Sequence, residues 1–441
     1  EPPSPMHDGA PPRAPALEAA REAPDDAVVA ALRAFAAAIP ERAAVPAMPS
    51  QTYDYDWIAP NGPDVAQTFV TASVCAGCHD AGSTGLQYDM TTPNPHGPGL
   101  INLSPFATWR TSPMGLAGRD PFFFAQLASE VETFHPEHRD LIEDTCFGCH
   151  GVAGARQFHI DMGASDDPCA PFRREMVDAV PFPPDGPGAA MAKYGALARD
   201  GITCTACHRA VLDAETMAKV ISEPQNACVE ARQAALNPGN TGFARTFTGS
   251  QLVGGPDTIV GPFEAPKIVP MEHAIGMTPK HNGDIRSAEL CGSCHTVHLP
   301  ILAGGKTLGS VYEQTTYPEW AFSAYRSGTT PDGALPHGAG DRAQTCQDCH
   351  MSNRDAEGNP RVSKIASIQE FTSFPAANFS LGPEALDLPF REGFAEHTLV
   401  GLNLVLIKMA KQFPDTLGIH TRDPISGDIG RLPLERTEDA I

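Results

Sequence analysis

The sequence predicts a mainly α-helical chain with extensive coil and little β structure, held together by bound groups rather than by a broad apolar core. Three observations carry this reading. One pentapeptide occurs five times, glycine and proline number 40 and 43 of 441 residues, and apolar positions repeat at helical spacing in short stretches without sustained strand alternation.

The pentapeptide is C-x-x-C-H, at Cys75–His79, Cys146–His150, Cys204–His208, Cys291–His295 and Cys346–His350. Its spacing suits covalent haem attachment: two thiols add to the two vinyl groups of one haem, and the adjacent imidazole binds the iron. Independent placement of 12 cysteines and 16 histidines would give roughly 0.01 copies. Zinc sites are the competing reading of C-x-x-C, but they need paired half-sites close in sequence. Successive copies here lie 71, 58, 87 and 55 residues apart, and each ends in histidine. The expectation is five haem c groups, tethered by Cys75, Cys78, Cys146, Cys149, Cys204, Cys207, Cys291, Cys294, Cys346 and Cys349, with His79, His150, His208, His295 and His350 as proximal ligands.

The formal charge of −22, made more negative by haem propionates, argues against nucleic acid and anionic membrane surfaces as partners. Expected partners are other redox proteins or further copies of this chain, including a homopolymer joined through end haems. Covalent haem attachment takes place outside the cytoplasm, so the expected location is periplasmic, outer-membrane-associated or extracellular. The two remaining cysteines, Cys169 and Cys228, fit a disulfide in that compartment, with two unpaired thiols as the alternative. The opening Glu1-Pro-Pro-Ser-Pro lacks the regions of a signal peptide and reads as a mature start. The apolar run near 400–407 is too short to span a bilayer.

Three regions are expected. Residues 1–69 form a Pro- and Ala-rich arm with a helix at 25–38, residues 70–355 form the pentahaem body, and residues 356–441 form a haem-free segment whose helix, 390–413, caps a haem. Within the body, helices are expected at 120–133, 189–199, 213–236 and 318–326.

Eleven histidines remain for the far side of the irons, more than five bis-histidine sites require. The leading distal candidates are His397, His298 and His273. His397 has Phe394 and Gly401 about one helical turn away, which would let a flat macrocycle approach. His298 follows His295 by three residues and would share its face on a helix. His273 stands among apolar and small residues shortly before the fourth motif. His96, His138 and His159 follow, and Met114 is the one thioether considered. His7 lies on the N-terminal arm, from which it could reach a haem of a neighbouring subunit.

Flanking phrases add a resemblance. Trp109-Arg-Thr-Ser-Pro-Met-Gly-Leu-Ala-Gly-Arg-Asp-Pro, Glu289-Leu-Cys-Gly-Ser-Cys-His-Thr-Val, Tyr312-Glu-Gln-Thr-Thr-Tyr-Pro-Glu-Trp, Thr345-Cys-Gln-Asp-Cys-His-Met and His397-Thr-Leu-Val-Gly-Leu-Asn resemble exported bacterial multihaem c-type cytochromes, over roughly residues 70–420. The resemblance implies a multihaem cytochrome c wrap around a chain of closely packed haems, serving electron transfer in a relay or a haem filament. The order of the last two motifs also looks like pentahaem ammonia-forming nitrite reductases, whose catalytic haem usually carries lysine in place of the motif histidine. This chain has no C-x-x-C-K. Two functions therefore stand: an electron carrier with no catalytic residue, or an enzyme of nitrite-reducing or hydroxylamine-oxidising type with one five-coordinate haem.

Overall fold

The computed structural model describes residues 68–81, 89–94, 98–328, 343–368, 387–401 and 404–412, with residue 30, and leaves out 164, 182, 187, 238, 240 and 356 within those ranges. The expected helix at 25–38, apart from residue 30, and the candidates His7 and His96 lie outside the described residues. About 49% of what is described is helical and 14% is strand, so the mainly α expectation holds at that level. The chain divides into two compact units, Glu1–Pro46 and Ala47–Ile441. The second unit holds all five motifs together with the described parts of 356–441.

Local chemistry explains the helix boundaries. Asp120 accepts a hydrogen bond from the Phe122 amide and is followed by Pro121, which starts the helix Pro121–Ser129. Asp213 caps Ala214–Val220 by accepting from Thr216. The single helix expected at 213–236 is instead two, Ala214–Val220 and Ala227–Leu236, parted by a short turn at Pro224–Asn226. Pro224 has no amide hydrogen and its ring opposes the preceding turn, so the helix must restart. The expected helix at 318–326 is likewise split into Thr316–Ala321 and Ala324–Ser327, the second capped by Ser323.

The largest apolar cluster joins Leu127, Val131, Phe147, Phe158, Phe172 and Val177, contributed by the helices Pro121–Ser129, Arg139–His150 and Val152–Met162 and the segments beyond them. Helix Val152–Met162 also packs closely on Ala192–Arg199. A Cβ at Gly154 would stand 2.3 Å from the Tyr194 carbonyl oxygen, so only glycine allows that approach.

Strands form five two-stranded pairs among the described residues. The longest is an antiparallel hairpin, Val297–Ala303 with Lys306–Gln314, turned by Gly304 and Gly305 at φ 53° and 72°. Sequence reading places no strand there, and expects a helix to put His298 beside His295. The exposed strand Lys306–Gln314 has no buried face to impose alternation.

Arg156 is buried at the centre of this unit. It donates to the carbonyls of Gln251 (2.6 Å) and Gln225 (2.9 Å) and to Asn226 Oδ1 (2.9 Å), and burial pulls its pKa down to about 10. Arg156→Met should strip the Gln251 and Gln225 carbonyls of the guanidinium, leave Asn226 Oδ1 with only the Val253 amide, and lower unfolding stability by about 3 kcal/mol. A urea titration showing a change under about 1 kcal/mol would contradict that.

Candidate functional site

Four of the motifs lie on helical turns: Ser73–His79, the end of Arg139–His150, Cys204–His208 and Cys346–His350. The fourth begins within the short helical turn Glu289–Gly292 and runs beyond it. Helical spacing of three and four residues carries both sulfurs and the imidazole to one side of the turn. One local sequence thus presents two thiols and an imidazole together.

Backbone carbonyls from distant segments fix the imidazoles. His79 Nδ1 donates to Ile365 O at 2.9 Å, His208 Nδ1 to Val260 O at 2.7 Å and His350 Nδ1 to Val400 O at 2.5 Å. A carbonyl only accepts, so Nδ1 carries the proton and Nε2 keeps its lone pair for a metal. His150 is oriented differently: its ring lies flat on Phe123, with centroids 3.8 Å apart and planes 3° apart. Burial pushes the His150 imidazole down to about 4.

His397 lies opposite His208. It is not on a helix: the described segment from Gly393 to Val400 has no helical residue, and the following helix is Leu404–Gln412. The backbone amide of His397 donates to Thr108 Oγ1 at 2.9 Å, and Nδ1 donates to Ala395 O at 3.2 Å. The ring centroids of His397 and His208 are 6.3 Å apart with planes 18° apart. Direct ring contact is excluded at that separation. Two imidazoles binding one metal from opposite sides, at about 2 Å per bond, have centroids about 6 Å apart. Burial, then the neighbouring His208, pushes the His397 pKa down to about 3, so it is a neutral base at ordinary pH.

The other distal candidates separate by what already holds them. His298 is pinned at its backbone by Thr248, whose Oγ1 accepts from His298 N at 3.0 Å and donates to His298 O at 3.1 Å. Its Nδ1 meets Asn237 Oδ1 at 2.5 Å, which leaves Nε2 outward. His138 Nε2 is buried without a hydrogen-bond partner. His159 spends Nε2 on Ala170 O at 3.0 Å and the Asp144 carboxylate at 3.2 Å, so the fold itself occupies that nitrogen. Burial alone would raise the Asp144 pKa, but His159 and Arg232 hold it below its ordinary value. His273 is exposed on the helix Ile268–Ile275. Met114 sits on the short helix Pro113–Leu116, and its carbonyl accepts from Ile202 N at 3.1 Å.

That last contact explains the Trp109–Pro121 phrase. Trp109 Nε1 donates to Ile202 O at 2.8 Å, and a Cβ on Gly201 would stand 2.6 Å from Met114 O. The phrase braces the entry to the third motif. Sequence reading also passes over Gln251, Thr248 and Arg232. The Arg232 guanidinium packs so tightly on Gly148, inside the second motif, that a Cβ there would lie 2.2 Å from Nη2. No spacing rule marks such residues.

Comparison with family models, curated proteins and solved structures found no match for this chain. The motifs and their geometry therefore carry the functional argument. Cys169 and Cys228 form the expected disulfide, with Cα atoms 5.5 Å apart. Among the described residues no three His, Cys, Asp or Glu side chains converge as a metal site, and no helix is long and apolar enough to cross a membrane.

Proposed function

We propose that this chain is an exported electron carrier that holds five c-type haems. The observation that carries the reading is the His208–His397 pair: two half-buried imidazoles, 6.3 Å apart and nearly parallel, each with Nδ1 tied to a carbonyl. That arrangement suits opposite ligands of one iron, and His208 closes a C-x-x-C-H motif.

Haem, when bound, supplies reversible one-electron exchange at its iron. The protein's own residues do the rest. Each cysteine pair tethers, carbonyls hold the His79, His208 and His350 imidazoles in one tautomer, the Phe123 ring orients His150, and burial excludes water around the third motif, where Thr205 and Ala206 have no exposure. Two axial imidazoles fill both positions on an iron, which favours conduction over substrate binding. The disulfide fits an oxidising compartment. Redox proteins or further copies of the chain are the proposed partners.

Intact mass and pyridine haemochrome analysis of material made with a haem-attachment system should give five haems per chain. Low-temperature electron paramagnetic resonance should then show low-spin ferric signals. One-fifth of the haem in a high-spin state that binds nitrite or cyanide would instead favour the enzyme reading.

A further inference from the structure

The contacts between the five motifs do not run in single file. The first motif meets the third: the Cys204 and Cys75 side chains are neighbours, and the Ala72 amide donates to Asp200 at 2.7 Å, just ahead of Cys204. The third meets the fourth through Gln251. Its side chain donates to Ala206 O at 3.0 Å and accepts from Ser293 Oγ at 3.1 Å, and Arg156 holds its carbonyl.

Two further motifs also join the fourth. The Cys149 side chain of the second motif lies beside Cys294. Gly249 seals that contact: its amide donates to Ser293 O at 2.8 Å, and at φ +70° it sits where a Cβ would lie 2.7 Å from Cys149 Sγ. The fifth motif meets the fourth at its other cysteine, with Cys346 beside Cys291. Gln347 Nε2 donates to Ser287 O at 2.8 Å and Ile285 O at 3.1 Å, in the lead-in to the fourth motif.

We infer that the fourth motif is a three-way junction, joined separately to the second, to the fifth, and through the third to the first. The inference rests on the haem-carrier reading above. It gives the chain three ends instead of two, so that one electron donor can serve two acceptors, or the reverse. One end opens outward, since Cys349 and His350 of the fifth motif are exposed. That end suits docking of a redox protein.

The test compares two variants of the haem-loaded protein. Cys291→Ala/Cys294→Ala removes the attachment of the fourth haem, and Cys346→Ala/Cys349→Ala that of the fifth. Neighbouring ferric haems couple magnetically, which alters and broadens their resonance signals. Without the fourth haem, two of the four remaining haems should give isolated, uncoupled signals, and the first and third should stay coupled. Without the fifth, none should become isolated. Equal numbers of isolated haems in the two variants would overturn the junction. If the first variant does not fold, His295→Met, which keeps both thioether links, supplies the same test by potentiometry. Three other midpoints should shift and one should not; a shift confined to one or two neighbours would overturn the inference. Wild-type protein lacking haem by mass would defeat the carrier reading itself, a distinct result.

Discussion

Replacing His397 by alanine should convert one haem in five from low-spin to high-spin and leave the other four unchanged. The imidazole faces His208 across the 6.3 Å gap, and alanine at that half-buried position supplies no ligating atom. The backbone should hold, because it is fixed independently: His397 N donates to Thr108, which in turn donates to Ser104 O at 2.9 Å. Beyond it, Leu399 N donates to His350 O at 3.0 Å, so the fifth motif should be untouched. His397→Met should restore a low-spin state at a higher potential. Electron paramagnetic resonance with spin quantitation reads both. An H397A protein that remains fully low-spin would remove His397 as the ligand.

The same residue makes an acid-stability prediction. Its folded pKa, about 3, lies below the ordinary imidazole value of about 6.5, so the unfolded state takes up a proton first as pH falls. The stability tied to the neutral ring is therefore complete above about pH 6.5 and lost progressively towards pH 3. H397A should flatten that part of the pH–stability curve.

Opening the disulfide should have the larger effect on folding. Cys169 and Cys228 are 59 residues apart in sequence, and their loop contains helix Ala192–Arg199 and the third motif. Freeing a loop of that length costs about 4 kcal/mol on the chain-entropy account, a large fraction of a typical domain's stability. Cys169→Ser/Cys228→Ser, and the single Cys228→Ser, should both lower the urea midpoint accordingly. A double variant within about 1 kcal/mol of wild type would show that the rest of the fold already restrains this loop.

The features legible in the sequence were those with short-range causes. The motif fixes its own turn, since two cysteines and a histidine at spacings of three and four need nothing else to share a side. Asp120-Pro121 announces a helix start, and Cys169 and Cys228 were the two cysteines outside the motifs, expected to pair with unpaired thiols as the alternative. The helical setting imagined for His397 and His298 failed for a physical reason. Both positions are set by distant partners, Thr108 for one and Thr248 and Asn237 for the other, and no local periodicity encodes those contacts. Gln251 was invisible for the same cause: its value lies in reaching Ala206 and Ser293 at once.

The carbonyls that orient the imidazoles also impose an order in time. His79 is among the first ligands to emerge as the chain is made, yet its partner Ile365 follows 286 residues later. The partners of His208 and His350 follow after 52 and 50 residues. Haem delivered to the first motif during export would meet cysteines and a histidine whose ring is still free to turn. The first site is then the earliest that can be loaded and, of these three, the one that waits longest for its carbonyl, so a chain truncated before residue 365 should carry its first haem in a loose, exchangeable ligation.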